Sequence, residues 1–316
     1  MKVCVLGAGA LGSAIGGTLA MHGVDVCLIN RNQAHIDAIR KNGLTLYPGS
    51  ALNKPFTIRV QAQTDCLGIG EADLILVLVK SSATASAIEH ALPLIGKNTA
   101  ILSLQNGLGN EETILTKVTP HHLLGGRTYI GGMLLKPGHV VATTLHKLTR
   151  IGELNGSHSP RLETIKQLFE NAGMPTEISD NIVGEMWDKL LVNVATGAIS
   201  GLTRLTYGDM YAMPEIEALA CAAVEEGIAV AQANGVRLSS TTARDIWLKA
   251  SAGLPPEFKT SMLQSLEKGN ITEIDFINGA VVRHGHKKSI PTPVNQALVA
   301  CIKGLEKSIK NRASSS

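Results

Sequence analysis

Apolar and polar positions change their period twice within the first thirty residues. An unbroken apolar run over residues 3–6 is typical of a strand that is buried on both faces of a sheet. Ala14, Ile15 and Leu19 then recur with the period of a helix, and a second apolar run covers residues 24–29. The pattern predicts a strand, a helix and a second strand that lies parallel to the first.

The alternation of buried strands and helices continues through the first half of the chain. Apolar runs over residues 74–79 and 100–104 predict two more buried strands, with a helix over residues 84–94 between them. Further helices are predicted over residues 33–41 and 160–171. We therefore predict the α/β class, with an N-terminal, Rossmann-type, doubly wound sheet.

Shorter β-rich pieces occur in two places. Residues 44–47 and 56–60 predict short strands of an insertion. Residues 128–131, 139–143 and 148–151 predict an antiparallel extension of the main sheet.

The rest of the chain has an almost entirely helical pattern. The predicted helices cover residues 183–200, 214–234, 240–252, 258–268, 274–285 and 293–311. We place the domain boundary near residue 180, which gives an α/β domain over residues 1–180 and an all-helical C-terminal domain over residues 181–316.

The first turn of the chain has the spacing of a dinucleotide-binding motif. Gly7, Gly9 and Gly12 form a GxGxxG sequence between the first strand and the first helix. The first glycine permits the tight turn, the second lets a pyrophosphate approach the backbone, and the third lets the helix pack against the strand. Free N–H groups at the helix start, at Ala10 and Leu11, would bind that pyrophosphate. The alternative is a glycine-rich turn that serves packing alone.

The end of the second strand indicates which dinucleotide is bound. NAD-binding proteins usually have Asp or Glu there, on the ribose 2′-hydroxyl, whereas this chain has Asn30 and Arg31. Arg31 can pair with a 2′-phosphate and stack on adenine, so the sequence favours NADP. The alternative is that Arg31 is a solvated residue at the start of the next helix.

The composition fits a globular α/β protein and argues against several classes. The chain has 316 residues, 44% of them hydrophobic, with 32 glycines and a net charge of +3. No dense basic run points to nucleic acid, and no apolar stretch of about 18 residues points to a membrane. The five cysteines show no CxxC spacing, so we expect reduced core residues of a cytoplasmic protein and no metal site.

A lysine in the helical half is a candidate proton donor. Lys189 and Asn193 are four residues apart, on one face of a predicted helix with strongly apolar surroundings. Partial desolvation there would make the ammonium group a better proton donor near neutral pH. The alternative is an exposed lysine on an amphipathic helix.

Polar residues elsewhere are candidates for ligand contacts. Lys80 and Asn106 follow two buried strands, at the sheet edge where ligands of doubly wound proteins collect. Ser261 offers a small hydroxyl at a helix start, and Glu273 opens the next helix beside apolar residues. The alternative for Glu273 is a stabilising charge at a helix N-terminus.

Together these segments resemble the ketopantoate reductase (2-dehydropantoate 2-reductase) family, nearly end to end. The likeness is carried by Gly7-Ala8-Gly9-Ala10-Leu11-Gly12, Asn30-Arg31, Lys80, Gln105-Asn106-Gly107, Trp187-x-Lys189-x-x-x-Asn193, Thr260-Ser261-Met262-Leu263-Gln264 and Thr272-Glu273-Ile274-Asp275. The resemblance implies NADPH-dependent reduction of a 2-oxo acid to a D-configured 2-hydroxy acid, in support of pantothenate and coenzyme A synthesis. The first domain would then bind NADP, and the helical domain would bind substrate and allow a homodimer.

The resemblance also implies roles for single residues. Lys189 would be the general acid, and Glu273 would pair with the substrate hydroxyl or with Lys189. Asn106, Asn193 and Ser261 would orient the substrate and the nicotinamide.

One further position agrees with the family, and two positions depart from it. Lys80 would lie near the cofactor. The family has asparagines where this chain has Gly197 and Tyr207, and both departures concern substrate contacts rather than hydride chemistry.

Other functions stay open at this stage. They are a dehydrogenase of another 2-oxo acid or of the opine type, a 3-hydroxy-acid dehydrogenase, and a nucleotide-sensing protein without turnover.

Overall fold

Strands and helices alternate through the first part of the chain, as the apolar pattern predicts. The computed structural model describes residues 1–314, with side chains to residue 312. The strands are β1 (Lys2–Leu6), β2 (Asp25–Ile29), β3 (Leu44–Pro48), β4 (Phe56–Ile58), β5 (Gln61–Gln63), β6 (Ala72–Val77), β7 (Ile95–Ser103), β8 (Leu123–Thr128), β9 (Gly131–Lys136), β10 (His139–Thr143), β11 (Thr149–Glu153) and β12 (Thr176–Ile178). The helices are α1 (Ala10–Met21), α2 (Gln33–Asn42), α3 (Thr84–Ala91), α4 (Asn110–Leu115), α5 (Pro160–Asn171), α6 (Ile182–Thr203), α7 (Tyr207–Tyr211), α8 (Pro214–Ala233), α9 (Ala243–Ser251), α10 (Ser261–Glu267), α11 (Asn278–Lys287) and α12 (Pro293–Ser314).

The main sheet has eight strands in the order β12-β11-β8-β7-β6-β1-β2-β5. β1 pairs in parallel with both β2 and β6, and β6 with β7, so the strand order reverses around β1. This topology confirms the predicted α/β class with a doubly wound sheet. Ligands of such sheets bind beyond the carboxyl ends of the strands where the order reverses.

Both faces of the main sheet are buried. Val3 and Val5 belong to one hydrophobic cluster, whereas Cys4 and Leu6 belong to another. Side chains of α1 and α5 cover the first face, and side chains of α3 cover the second. Since successive side chains of a strand point to opposite faces, a strand buried on both faces reads as an unbroken apolar run.

The predicted antiparallel extension of the main sheet is only partly correct. β11 pairs antiparallel with β8, as predicted, but β9 and β10 belong to a separate sheet with the order β4-β3-β10-β9. β9 packs on helix α1 and does not pair with β8, and Gly132 permits this close approach because a Cβ there would overlap the backbone of Ala10. β9 therefore runs across the start of α1 instead of along the edge of the main sheet.

The chain forms two compact units that are not contiguous in sequence. One unit comprises Met1–Gln105 and Asn110–Ile182, and the other begins at Val183 and includes the loop Asn106–Gly109. The functions that we assign to the two predicted domains stay predictions.

The described part of the second unit contains the predicted helices and one short helix that the pattern does not predict. Helix α7 has five residues and is held by backbone hydrogen bonds from Tyr207 to Phe258 and from Gly208 to Pro256. Such a helix depends on tertiary contacts and leaves no periodic signal in the sequence. Within residues 1–314, none of the helices has the length and apolar content that a membrane span requires.

Candidate active site

The glycine turn between β1 and α1 is sterically constrained at two positions. Gly7 has a positive φ of 94°, and a Cβ there would overlap the backbone of Val79. A Cβ on Gly12 would overlap the carbonyl oxygen of Gly7, so the helix can approach the strand only with glycine at this position. The two glycines thus hold the turn in its shape.

Gly9 differs because the space beside it is open. A Cβ there would have only Asn30 Nδ2, at 3.9 Å, and Gly7 O, at 4.0 Å, within reach. Gly9 is also the N-cap of α1, whose first turn contains no acidic residue. The half-buried N-terminal residues Ala10 and Leu11 follow it. An open space beside a helix N-terminus without acidic side chains fits a diphosphate group.

The end of β2 lies beside this turn. The half-buried Asn30 accepts a hydrogen bond at Oδ1 from the backbone N–H of Asn32 (2.9 Å), and its Nδ2 faces the Gly9 position. Arg31 is exposed. The structure thus brings Asn30, and with it the start of Arg31, next to the glycine turn.

The loops after β6 and β7 are connected through Gln105. Its Nε2 donates to the carbonyl oxygen of Val79 and to Oγ1 of Thr84, both at 2.8 Å. Lys80, which is exposed, follows Val79 directly. Gln105 therefore fixes the loop that carries Lys80, a function that its polar character alone does not reveal.

Glu111 is a buried carboxyl group that the sequence analysis did not single out. It lies in the first turn of α4 and is 6% exposed. Burial raises its pKa to about 7. A glutamate that follows a Gly-Asn pair at a helix start resembles an ordinary solvated residue, so no sequence signal marks it.

Lys189 and Asn193 lie on α6, and both are half-buried. The preceding residues anchor the helix, because the buried Asp188 accepts hydrogen bonds from the backbone N–H of Ser239 and the buried Trp187 packs against His284. The half-buried position of Lys189 agrees with the expected partial desolvation and differs from a fully solvated surface lysine.

The loop that carries Asn106 packs against the turn that follows Glu273. The Leu108 N–H donates to the Phe276 carbonyl at 2.8 Å, and a Cβ on Gly107 would overlap that same carbonyl. Arg283 donates to the carbonyl oxygen of Leu108 at 3.4 Å. The structure thus brings two distant sequence segments together, with the half-buried Asn106 and Glu273 at their starts.

Ser261 is exposed at the first position of α10, where Thr260 Oγ1 accepts a hydrogen bond from the Leu263 N–H. The next residue, Met262, packs against Gly197 of α6, with its Cε 3.6 Å from the position of a Cβ there. Ser261 therefore lies at a helix start that packs on the helix of Lys189.

Tyr207 is buried among other aromatic residues. Its hydroxyl donates to Oγ1 of Thr196 at 3.3 Å, and its ring contacts Phe258 edge-on. Burial raises the pKa of Tyr207. Tyr211 stacks on Trp247 with 3.9 Å between the ring centroids. The Tyr207 hydroxyl thus already has a protein partner next to Gly197.

Two minor expectations about cysteines and histidines are corrected. Cys4, Cys27 and Cys66 are buried as expected, but Cys221 is half-buried and Cys301 is exposed. The position of His122 in the sequence, next to His121, predicts a surface residue, but His122 is only 9% exposed. Among the described residues, no group of His, Cys, Asp or Glu side chains is arranged to hold a metal ion.

Comparison with known proteins assigns both halves of the chain. Residues 3–156 match the model of the ketopantoate reductase PanE/ApbA family, and residues 181–306 match that of its C-terminal domain. A 2-dehydropantoate 2-reductase of Pyrococcus horikoshii is 35% identical over 306 residues, which cover 97% of this chain and 98% of that protein. The same enzyme of Archaeoglobus fulgidus is 32% identical over 305 residues (96% and 98% covered).

Solved structures give the same result. A PanE/ApbA family ketopantoate reductase from Ralstonia eutropha has a TM-score of 0.88 and 34% identity, with 98% of this chain and 100% of that chain covered. The ternary structure of D-mandelate dehydrogenase with NADH and anilino(oxo)acetate has a TM-score of 0.89 and 25% identity, with the same coverage. The chain therefore belongs to the ketopantoate reductase (PanE/ApbA) family and is an oxidoreductase of the 2-dehydropantoate 2-reductase type.

Proposed function

We propose that this protein reduces 2-dehydropantoate (ketopantoate) to D-pantoate with NADPH, as a step of pantothenate synthesis in the cytoplasm. The observation that carries the proposal is the nearly full-length likeness to relatives named 2-dehydropantoate 2-reductase. The open space at Gly9 and the half-buried Lys189 support it, because a reductase needs a nucleotide site and a proton donor.

The residues of the glycine turn fit the nucleotide. The backbone N–H groups of Ala10 and Leu11 would bind the diphosphate, with Asn30 beside the ribose. Arg31 would pair with the 2′-phosphate that distinguishes NADPH from NADH. When bound, the nicotinamide supplies the hydride, and Lys80 would lie near the cofactor. D-mandelate dehydrogenase is described with NADH bound, and comparing the affinities of this chain for NADPH and NADH distinguishes the two cofactors.

Lys189 is the proposed general acid. As the carbonyl carbon of the substrate gains the hydride, negative charge grows on its oxygen, and the Lys189 ammonium donates a proton to that oxygen. General acid catalysis of this kind contributes about 10²–10⁴-fold in rate. Water then returns the proton to the lysine.

Amide, hydroxyl and carboxylate groups would orient the substrate around this lysine. Asn193 and Ser261 can donate to the substrate carboxylate. Asn106 would contact both the substrate and the cofactor, and Glu273 would accept a hydrogen bond from the substrate hydroxyl.

The test is NADPH oxidation with ketopantoate beside 2-oxoisovalerate, which lacks the terminal hydroxyl. We expect a higher kcat/KM for ketopantoate. No turnover with any 2-oxo acid, despite NADPH binding, would contradict the proposal and favour a nucleotide sensor. Turnover of 3-hydroxy acids, or turnover that requires an amine, would instead indicate a dehydrogenase of those classes.

Two observations favour a second candidate, the reduction of a bulkier 2-oxo acid. Gly197 offers no side chain where the family has an asparagine, and a Cβ there would meet nothing closer than Met262 at 3.6 Å. The Tyr207 hydroxyl is already bonded to Thr196. A lost hydrogen bond to a buried hydroxyl costs about 0.5–1.5 kcal/mol, which lowers but does not abolish activity. A kcat/KM for 2-oxo-2-phenylacetate more than tenfold above that for ketopantoate would establish this alternative.

The helical unit is also the proposed dimer contact. One related structure is described as a dimeric ketopantoate reductase, from Staphylococcus aureus. Light scattering coupled to size exclusion would give the mass of the assembly, and a monomer at micromolar concentration would contradict the proposal.

A further inference from the structure

His35 is a buried polar residue that the proposed reaction does not use. It lies in the first turn of α2, is 1% exposed and belongs to the first unit. Its two ring nitrogens contact different parts of that unit. Nδ1 lies 3.1 Å from the backbone N of Gly138, and Nε2 lies 3.1 Å from Oγ of Ser13. The ring therefore connects the turn between β9 and β10 with helix α1.

The partners of His35 define its protonation state. A backbone N–H can only donate, so Nδ1 accepts from Gly138 and carries no proton. The single ring proton is then on Nε2 and is donated to Ser13 Oγ. Ser13 in turn donates its own hydroxyl proton to the Ala8 carbonyl oxygen, at 3.1 Å. The three hydrogen bonds all run in one direction, from Gly138 through His35 and Ser13 to Ala8. Burial lowers the pKa of His35, in agreement with a neutral ring.

This relay of hydrogen bonds, from Gly138 through His35 and Ser13 to Ala8, ends inside the glycine turn. Ala8 lies between Gly7 and Gly9, and the N–H groups of Gly7 and Ala8 both donate to the Ile29 carbonyl, at 3.0 and 2.9 Å. The bond from Ser13 to the Ala8 carbonyl therefore fixes the other side of the same peptide segment. Without it, the Ala8 carbonyl would lose its bond to Ser13, and the segment would keep the two bonds to Ile29 and the bond from the Gly9 N–H to the Gly7 carbonyl oxygen at 2.7 Å.

The backbone of His35 is connected to the end of β2. Its N–H donates to Oδ1 of Asn32, the N-cap of α2, at 3.2 Å. The Asn32 N–H donates to Oδ1 of Asn30 at 2.9 Å. One residue thus holds both the turn proposed for the diphosphate and the strand end proposed for the ribose.

We propose that His35 is a positioning residue for the cofactor, whose ring acts through Ser13 on the glycine turn, while its backbone N–H contacts Asn32 at the end of β2 whatever the side chain. The inference rests on the proposed nucleotide site of the first unit. Because the diphosphate is common to both cofactors, loss of the relay weakens NADPH and NADH by the same factor. Because the relay affects the binding of the cofactor and not the transfer of the hydride, kcat at saturating cofactor changes little.

The test measures the Kd of NADPH and NADH by calorimetry for the unmodified protein and for two variants. In Ser13→Ala the relay loses its middle member, and in His35→Phe it loses both ring nitrogens. We expect the Kd of both cofactors to rise about tenfold, the equivalent of one lost hydrogen bond in a fixed site. Turnover at saturating NADPH should stay within about twofold of the unmodified protein.

Two polar replacements of His35 distinguish a hydrogen-bonding function of its ring from a function in packing alone. The amide nitrogen of His35→Gln can reach the place of Nε2 and donate to Ser13, whereas the amide of His35→Asn reaches only the place of Nδ1. We expect Gln to restore most of the affinity and Asn to restore little. Equal affinities for Gln, Asn and Phe would overturn the inference.

Matched controls exist for both positions. Thr18 is a buried hydroxyl of the same helix that donates to Ala14, and His122 is a buried histidine bonded to the Thr99 carbonyl. Thr18→Val and His122→Phe should leave both Kd values unchanged after correction for thermal stability. If they raise Kd as much as Ser13→Ala does, or if Ser13→Ala has no effect, His35 has no positioning function. An unmodified protein that binds neither nucleotide would overturn the proposed function as well.

Discussion

The glycine turn of the first unit and the Gly197 position of the second unit differ in what they require from the residue. At Gly7, both a φ of 94° and the overlap of a Cβ with Val79 require glycine. At Gly197, in the interior of α6, a Cβ would make an ordinary contact with Met262. The proposed cofactor side is thus fixed by the backbone, whereas a residue on the proposed substrate side can change without a change of fold.

The most direct test of this difference is to add one methyl group at Gly7 and, in a second variant, at Gly197. Gly7→Ala should lower the free energy of unfolding by about 3 kcal/mol or more, because it adds backbone strain to a steric overlap. Gly197→Ala should be neutral or stabilise by up to about 1 kcal/mol, since alanine favours helix. Urea unfolding of both variants measures the difference, and similar losses at the two positions would contradict the comparison.

A second difference between the two units concerns their glutamates. Glu111 of the first unit is buried, whereas Glu273 of the second unit is half-buried. The pKa of Glu111 is raised to about 7, so the folded protein binds this proton more tightly than the unfolded chain. Its contribution to stability is full below about pH 4.5 and is lost as the pH rises to about 7. Glu111→Gln should therefore stabilise the protein by up to about 3 kcal/mol at pH 8 and by little at pH 4.

The measurement is the urea midpoint of Glu111→Gln and of the unmodified protein across this pH range. Glu112→Gln, the exposed neighbour in the same helix, should show no comparable gain at pH 8 and serves as the control. A gain for Glu111→Gln that is equal at pH 4 and pH 8 would argue against a protonated, buried carboxyl group.

Lys189 tests the substrate side without a change of fold. Lys189→Ala should bind NADPH normally and lose at least about a hundredfold in turnover, because the variant lacks the proposed proton donor. Lys249→Ala, which removes an exposed lysine of α9, should keep full turnover. Near-normal turnover of Lys189→Ala would remove Lys189 from the mechanism.

Arg31 tests the cofactor side with a smaller expected effect. NADPH should bind at least about tenfold more tightly than NADH, or roughly 1.4 kcal/mol, and Arg31→Ala should remove most of that preference. The exposed Arg59 offers a control in the same unit, and Arg59→Ala should keep the preference. Equal affinity of the unmodified protein for the two cofactors would contradict the assignment of Arg31.

The sequence predicts the glycine turn well because the strand, the turn and the helix that define it lie within about thirty consecutive residues. The spacing of Gly7 and Gly12 between two apolar runs is enough to predict this turn, since the strand, the turn and the helix are contiguous in sequence. The pattern also predicts β9 and β10 as strands but not their partners. A period of two specifies a strand but not its partner strands, and in the structure β9 packs on α1, where Gly132 lies against Ala10.

Other parts of the site depend on contacts between distant segments and could not be predicted. The contact of Gly107 and Leu108 with Phe276 joins segments more than a hundred residues apart, and no local pattern records it. The ring of the buried His35 likewise contacts Gly138, in the turn between β9 and β10. Tyr207 is buried because aromatic neighbours surround it, although its own segment is too short to show a helical period.

The loop Asn106–Gly109 has a consequence for protein engineering. It interrupts the sequence of the first unit yet groups with the second, through the Leu108 bond to Phe276 and the Arg283 bond to Leu108. A fragment that ends at residue 182 would retain the loop and lose these partners. Chimaeras that exchange the C-terminal halves of relatives should therefore transfer residues 106–109 together with the segment that contains Phe276 and Arg283.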